Sequence, residues 1–217
     1  MIRYIIFDMD GVLINSEIAY LNLFQMFLKE NGVHKTMDEL HFLAGSSRAT
    51  EDRYLAELIK QDAKTTNRLK HEFYSRYPID YNLIKRPYVN EVLQELKARK
   101  ITLALASSSP IDNIYEVLDA CNIREYFSVI VSGDNFERTK PDPEIYEFTV
   151  QALHADKQEV LVIEDSVYGI QAGKAADLEV IALLDPILEH DTSSADYQIT
   201  NLKEIFDIVD QRKGGLM

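Results

Sequence analysis

The sequence predicts a doubly wound α/β fold, in which helices cover both faces of a parallel sheet. Short, continuously apolar runs alternate along the chain with stretches that have apolar residues at helical spacing. Continuous apolar runs are typical of strands that are buried on both faces of a parallel sheet. The five runs predicted to be strands are residues 4–7, 101–106, 129–131, 160–163 and 179–184.

Helical patterns fill the intervals between these strands. Residues 88–96 carry one apolar stripe and residues 110–118 carry another. We expect Ser109 to cap the second of these helices, with Pro110 at its first position. Asp142, which precedes a proline, marks the start of a further helix in the same way.

Residues 16–85 interrupt this alternation, because they show helical periodicity and no convincing strand. Thr36 followed by Glu39 is typical of a capping box at a helix start. The predicted domains are therefore a sheet domain of residues 1–15 and 86–217 and an inserted all-α domain of residues 16–85. We expect an insert at this place to lie over the carboxyl ends of the strands as a lid.

Composition and charge limit the classes of function. The 217 residues carry a formal net charge of −13, which disfavours nucleic acid and anionic membranes as partners. No run of about 18 apolar residues is present, so no membrane span is expected. The first apolar run ends at Asp8 and is too short for a signal peptide, and the single Cys121 cannot form an internal disulfide. Cytoplasm is the expected location, and any anionic substrate needs a local cation.

Polar side chains follow four of the predicted strands. In open α/β sheets, ligands bind outside the carboxyl ends of the strands, so these side chains are candidates for one site. In strand order they are Asp8 and Asp10; Ser107, Ser108 and Ser109; Lys140; and Glu164 and Asp165.

The carboxylates predict a metal site. Side chains two positions apart in an extended segment point the same way, so Asp8 and Asp10 face one cleft, and Gly11 permits a tight turn after them. Alone, this motif is also typical of an acidic turn. Together with Glu164 and Asp165, the clustered carboxylates would raise one another's pKa values unless a cation neutralises them, and oxygen ligands favour Mg²⁺.

Ser107 and Lys140 add the features of a phosphate site. Alone, a serine at a strand end is usually a turn residue, and a loop lysine is usually solvated. Together, the hydroxyl, the ammonium and Mg²⁺ could neutralise a dianionic phosphoryl group. This combination would supply the local cation that an acidic protein needs to bind an anionic substrate.

With these clusters in this order, the chain resembles the haloacid dehalogenase superfamily. The resemblance is to its β-phosphoglucomutase and phosphoglycolate-phosphatase-like branch, whose Rossmann-like core has a helical cap inserted after the first strand. The motifs that carry it span nearly the whole chain: FDMDGVLINSE, LALASSS, TKPDPEIY, VLVIEDSVYGIQA and ADYQITNLKEI.

The resemblance implies phosphoryl transfer from a small phosphorylated metabolite. Asp8 would be the nucleophile that forms an aspartyl-phosphate, and Asp10 would protonate the leaving alcohol and then deprotonate water. Mg²⁺ would be held by Asp8, the backbone carbonyl of Asp10 and Asp165. Glu164 would assist either through a water molecule or by supporting the residues that bind the metal directly. The residues implied to bind the phosphoryl oxygens are Ser107, Ser108 and Lys140.

Residues of the insert help to predict the substrate class. Its segment AGSSRATED, residues 44–52, resembles the loop with which β-phosphoglucomutases contact substrate, and it places Gly45, Ser47 and Arg48 near the cleft. Tyr20 stands where the mutases carry a cap-hinge histidine, which favours a phosphatase of sugar or polyol phosphates over a hexose-phosphate mutase. A catalytically silent phosphate-binding protein is the third alternative, and we expect a monomer.

Overall fold

The structure, a computed structural model, has two compact units. The described residues are 1–43, 48–188 and 190–214, with the backbone alone described at 48, 49, 213 and 214. The first unit comprises Met1–Ile14 and Tyr81–Met217, and the second comprises Asn15–Asp80. Residues 81–85, which the sequence analysis assigned to the insert, therefore belong to the first unit. Lys85 pairs there with Ile14 in an isolated antiparallel bridge.

A six-stranded parallel sheet forms the centre of the first unit. In chain order the strands are β1 Tyr4–Phe7, β2 Thr102–Ser107, β3 Phe127–Ser132, β4 Val160–Glu164, β5 Glu179–Leu183 and β6 Tyr197–Ile199. Their order across the sheet is β3-β2-β1-β4-β5-β6, and every pair is parallel. The predicted fold class is confirmed. The connection from β3 crosses back to β4, so the carboxyl ends of β1 and β4 lie side by side at the switch point where such sheets bind ligands.

The sixth strand was not predicted. It has three residues, lies at the edge of the sheet beside β5, and exposes Gln198 between Tyr197 and Ile199. A short edge strand needs no continuous apolar run, because only part of it is buried. The apolar pattern that revealed the other strands is therefore absent here.

The helices of the first unit pack against this sheet. They are α5 Val89–Ala98, α6 Ile111–Ala120, α7 Glu144–Ala152, α8 Val167–Ala175 and α9 Ile205–Gly214. Ile145 of α7 and Ile170 of α8 share one buried cluster with Ile6 and Val162 of the central strands. Among the described residues, no helix combines the length and the apolarity that crossing a bilayer requires.

The predicted cap of α6 is wrong. The helix begins at Ile111 after Pro110, and its first amide donates to a carboxylate oxygen of Asp134 at 3.2 Å. Ser109 does not cap it, because its hydroxyl donates instead to Asp10 Oδ2 at 2.8 Å. The expected capping serine thus belongs to the sheet edge where the candidate site lies.

The second unit is helical. Its helices are α1 Ser16–Glu30, α2 Met37–Leu40, α3 Arg48–Ile59 and α4 Ala63–Arg76. Its core includes an edge-to-face contact between Phe27 and Phe73, whose ring centroids are 5.5 Å apart. The capping box is confirmed, because the Thr36 hydroxyl accepts from the Glu39 amide while the Glu39 carboxylate accepts from the Thr36 amide.

Candidate active site

Two neighbouring strands end at a buried cluster of three carboxylates. β1 and β4 pair in register, with Phe7 opposite Ile163, and the amide of Asp8 continues the pairing by donating to the Ile163 carbonyl at 2.9 Å. Asp8, Glu164 and Asp165 are buried, and each presents one oxygen within 4.8 Å of those of the other two. The sequence predicts these side chains at one edge of the sheet, and the structure brings them together there.

Lys140 lies between two of these carboxylates. Its ammonium nitrogen donates to Asp8 Oδ1 at 2.5 Å, to Glu164 Oε1 at 2.6 Å and to the Ala106 carbonyl at 3.2 Å. Only 7% of its side chain is exposed. An ammonium has three donor hydrogens, so these three acceptors satisfy it fully. The loop after β3 therefore carries a fixed positive charge to the end of β1.

Glu164 is occupied by protein donors at both oxygens. Its Oε1 accepts from Lys140 and from the Tyr146 hydroxyl at 2.6 Å, and its Oε2 accepts from the Asp165 amide at 3.1 Å and the Ser166 hydroxyl at 3.2 Å. Tyr146 is fully buried and was not among the predicted site residues. In the sequence Tyr146 fits the apolar stripe of a helix. This pattern does not show where its hydroxyl points, so the contact with Glu164 could not be predicted.

Burial and charge together shift the titration of the cluster. Burial raises the pKa of Asp8 to about 8, Lys140 opposes this shift, and the charges of Glu164 and Asp10 add to it. Burial acts to lower the pKa of Lys140, but Asp8 and Glu164 raise it well above its ordinary value. Lys140 therefore stays positively charged and is shared between two carboxylates. When Asp165 is counted too, three carboxylates and one ammonium leave two negative charges in excess if all four groups are ionised, so the cluster favours a divalent cation.

Two glycines make room for these carboxylates. Gly11 has φ +78°, and a Cβ at this position would overlap the carboxylate of Asp165. A Cβ on Gly169, in the first turn of α8, would overlap the carboxylate of Glu164. Since a larger side chain at either position would displace an acidic group, both glycines are required by the packing of the site.

The end of β2 presents three consecutive serines in different environments. Ser107 is buried, and its hydroxyl accepts from the Ser109 amide at 3.1 Å. Ser108 is exposed, and its backbone lies close to Gly133. A Cβ on Gly133 would lie 3.0 Å from the Ser108 backbone. Ser109, which was expected at this edge of the sheet but was not among the predicted phosphate-binding residues, donates to Asp10. The half-buried Asp10 is thus linked to the end of β2 through a hydroxyl.

The residues predicted in the insert are not all described. Gly45 and Ser47 lie outside the described residues. Arg48 begins α3, and its side chain also lies outside the described part of the chain. Their expected contact with substrate therefore stays a prediction.

The donor set fits Mg²⁺. Asp8 and Asp165 offer carboxylate oxygens, which this hard cation prefers, and a divalent cation would balance the two negative charges in excess when all four groups are ionised. Glu164 already accepts from five protein groups, so it is better suited to orient Lys140 than to bind a cation directly.

Comparisons with known proteins identify relatives of this chain. The sequence profile of the haloacid dehalogenase-like hydrolases matches residues 5–183. A phosphorylated carbohydrates phosphatase from Thermotoga maritima is 33% identical over 178 residues, which cover 82% of each chain. A phosphoglycolate phosphatase from Aquifex aeolicus is 26% identical over 212 residues, covering 96% of this chain and 97% of the relative. A crystal structure of a candidate β-phosphoglucomutase from Thermotoga maritima superposes with a TM-score of 0.83 at 28% identity, covering 97% of this chain and 99% of that one.

Proposed function

The chain belongs to the haloacid dehalogenase-like hydrolase family, and we propose that it is a Mg²⁺-dependent phosphatase of a small phosphorylated metabolite. The reaction proceeds through an aspartyl-phosphate at Asp8. The observation that supports this most strongly is the buried group of Asp8, Lys140 and Asp165, because it combines a nucleophile, a fixed cation and a further metal ligand at one sheet edge. Phosphoryl transfer depends mainly on such positioning and charge neutralisation.

The first step transfers the phosphoryl group to the enzyme. A carboxylate oxygen of Asp8 attacks phosphorus, and the bond from phosphorus to the substrate's ester oxygen breaks. Asp10, protonated at the start, gives its proton to the leaving alkoxide, which departs as an alcohol. Because Lys140 holds one oxygen of Asp8, the nucleophile has a fixed orientation.

The second step releases phosphate. Asp10, now a carboxylate, takes a proton from a water molecule while the water oxygen attacks phosphorus. The bond between phosphorus and Asp8 breaks, and inorganic phosphate leaves. The hydrogen bond from Ser109 holds Asp10 at the site through both proton transfers.

The phosphoryl oxygens are bound by Ser107, Ser108 and Lys140, whose ammonium exchanges its bond to the Ala106 carbonyl for one to the substrate. Asp8, Asp165 and the backbone carbonyl of Asp10 would hold Mg²⁺, which supplies positive charge to the phosphoryl group as negative charge develops on it. Glu164 keeps Lys140 in place.

The substrate is a sugar or polyol phosphate. The relative from Thermotoga maritima that is named for phosphorylated carbohydrates supports this class. The resemblance of residues 44–52 to a substrate-contacting loop supports the further proposal that Arg48, with Gly45 and Ser47, binds a second anionic group of such a substrate.

A hexose-phosphate mutase is the second candidate, which the similarity to a candidate β-phosphoglucomutase favours. The two activities differ in whether water or a sugar hydroxyl receives the phosphoryl group from Asp8. Incubation with β-glucose 1-phosphate separates them, because a mutase yields glucose 6-phosphate and a phosphatase yields free phosphate and glucose.

The proposal is tested by phosphate release from p-nitrophenyl phosphate and from a set of sugar and polyol phosphates, with Mg²⁺ and with EDTA. We expect turnover with Mg²⁺ and none with EDTA. A folded protein that binds inorganic phosphate but releases none from any ester would instead be a binding protein, and the proposal would fail.

A further inference from the structure

Arg86 joins three segments of the first unit. Its backbone amide donates to the Leu13 carbonyl at 2.9 Å, and its side-chain Nε donates to the Gly11 carbonyl at 2.9 Å. Its terminal nitrogen donates to Asp185 Oδ2 at 2.6 Å. The guanidinium therefore ties the turn after β1 to the segment that follows β5.

The ion pair is largely withdrawn from solvent. Only 12% of the Arg86 side chain and 3% of the Asp185 side chain are exposed. The second oxygen of Asp185 accepts from the backbone amides of Ile187 and Leu188 at 2.8 and 3.2 Å. A buried pair is tolerated when further hydrogen bonds satisfy both partners, as they do here. The planar fork of arginine makes two directed bonds at once, which the single ammonium of a lysine cannot reproduce.

The turn that Arg86 holds carries Asp10. Residues 10–14 close on themselves, because the Gly11 amide donates to the Ile14 carbonyl at 2.8 Å. Gly11 follows Asp10 directly, has a left-handed backbone and lies against the carboxylate of Asp165. Because Asp10 is bonded directly to Gly11, a displacement of the Gly11 backbone would move the main chain of Asp10 and would also change the contact with Asp165.

We propose that Arg86, anchored by Asp185, is a positioning residue for the proton transfers of Asp10. Arg86 fixes the Gly11 carbonyl, so that the Asp10 carboxyl is held where the ester oxygen of the substrate leaves. This inference rests on the proposed phosphatase function and adds to it a residue that contacts neither the substrate nor the metal.

The dependence on the leaving group tests this role. p-Nitrophenolate is a stable anion that departs without a proton, whereas an alkoxide needs one from Asp10. The probes are p-nitrophenyl phosphate and the fastest-cleaved of glycerol 1-phosphate, erythrose 4-phosphate and glucose 6-phosphate. The ratio kcat/KM is compared, because it reports the steps up to transfer to Asp8 and excludes the hydrolysis step that both probes share.

We expect Arg86→Met to lower kcat/KM for the alkyl ester by about 30-fold and for p-nitrophenyl phosphate by about threefold or less, since a displaced general acid loses part of its 10²–10⁴-fold contribution. Arg86→Lys keeps the charge beside Asp185 but loses the directed bond to Gly11, so it should show the same selectivity. Asp10→Asn provides the reference pattern for complete loss of the acid.

A matched control separates positioning from general damage. Arg99, at the C-terminal end of α5, also contacts two carboxylates, those of Glu95 and Asp210. Arg99→Met should leave the ratio of the two kcat/KM values unchanged. If Arg86→Met does not fold, the double variant Arg86→Met with Asp185→Asn removes both charges, leaves no unpaired carboxylate, and is measured instead.

The outcomes are distinct. An equal loss on both esters in the Arg86 variants, or no loss on either, would overturn the positioning role while leaving the phosphatase in place. A parent enzyme that cleaves the aryl ester but no alkyl ester would also overturn it, because Asp10 would then have no leaving group to protonate. A parent that cleaves no ester would overturn the proposed function, and this inference with it.

Discussion

The two units bury different kinds of side chain. At the strand ends of the first unit, Asp8, Glu164 and Asp165 are buried together with Lys140. In the second unit, the buried polar residues among those described are the uncharged Ser16 and Thr66, and the rest of its core is made of leucine and phenylalanine. Burying a charge costs several kcal/mol unless partners satisfy it.

This difference suggests that the buried polar groups of the first unit serve the reaction and that the buried side chains of the second unit serve stability. The first unit gives up stability at one edge of its sheet to hold acidic groups close together, as proteins do at functional sites. The second unit is stabilised by apolar contacts and helix caps. Substitutions at the strand ends should therefore change activity strongly, whereas core substitutions in the second unit should change stability alone.

The largest combined effect is expected for Lys140→Met. It leaves Asp8 and Glu164 facing each other without a cation, so unfolding free energy should fall by about 3–5 kcal/mol. The rate of phosphate release should fall about 10²–10³-fold, as for loss of one group that stabilises the transition state. Denaturant unfolding and steady-state kinetics measure the two effects. Lys174→Met, at a partly exposed pair with Asp196, is the control and should cost about 1 kcal/mol or less.

A purely structural effect is expected for Phe73→Ala in the second unit. Removal of this buried ring should lower the unfolding free energy by about 3–5 kcal/mol. Turnover of p-nitrophenyl phosphate per folded molecule should be retained at temperatures below the transition. Phe42→Ala, at an exposed ring of the same unit, should cost much less. Loss of turnover in folded Phe73→Ala would break the separation between the two units.

An intermediate effect is expected for Tyr146→Phe. The substitution keeps the buried ring but removes the hydroxyl that donates to Glu164, and a hydrogen bond to a charged group contributes about 1.5–3 kcal/mol. Thermal unfolding measures the loss. Tyr81→Phe is the matched control, because the Tyr81 hydroxyl accepts from the neutral amide of Asn113 and should contribute less. Equal losses would show that the charge of Glu164 is unimportant to this bond.

The smallest effect is expected for Thr36→Ala. It removes one half of the capping box at the start of α2 and should cost about 1 kcal/mol with no change in kcat or KM. Chemical denaturation and kinetics on one preparation check both statements. A changed KM would link this helix start to substrate binding.

The sequence predicted the parts of the molecule that depend on local pattern. The buried strands appear as apolar runs, and Asp8 and Glu164 stand directly at the carboxyl ends of two of them. The capping box of Thr36 and Glu39 was also visible, because its two residues are three positions apart.

The parts that were missed depend on contacts between distant residues. Arg86 and Asp185 are 99 positions apart in the sequence and form an ion pair in the structure. Neither residue belongs to a sequence pattern from which this pairing could be predicted. Ser109 was assigned to a helix start because sequence position alone cannot tell whether a hydroxyl turns towards the helix or towards Asp10. Tyr146 was not predicted as a site residue, since the sequence does not show that its buried hydroxyl donates to Glu164.

The central claim is that Asp8 is the nucleophile, and the turnover of Asp8→Asn tests it most directly. Release of phosphate from p-nitrophenyl phosphate is followed with Mg²⁺ for the parent and the variant, together with their thermal unfolding near neutral pH. We predict a loss of turnover of at least about 10³-fold, because the amide cannot form the aspartyl-phosphate. The melting temperature in EDTA should not fall, because the neutral amide replaces a carboxyl whose pKa burial raises to about 8. Folded Asp8→Asn that turns over within about tenfold of the parent would contradict the account.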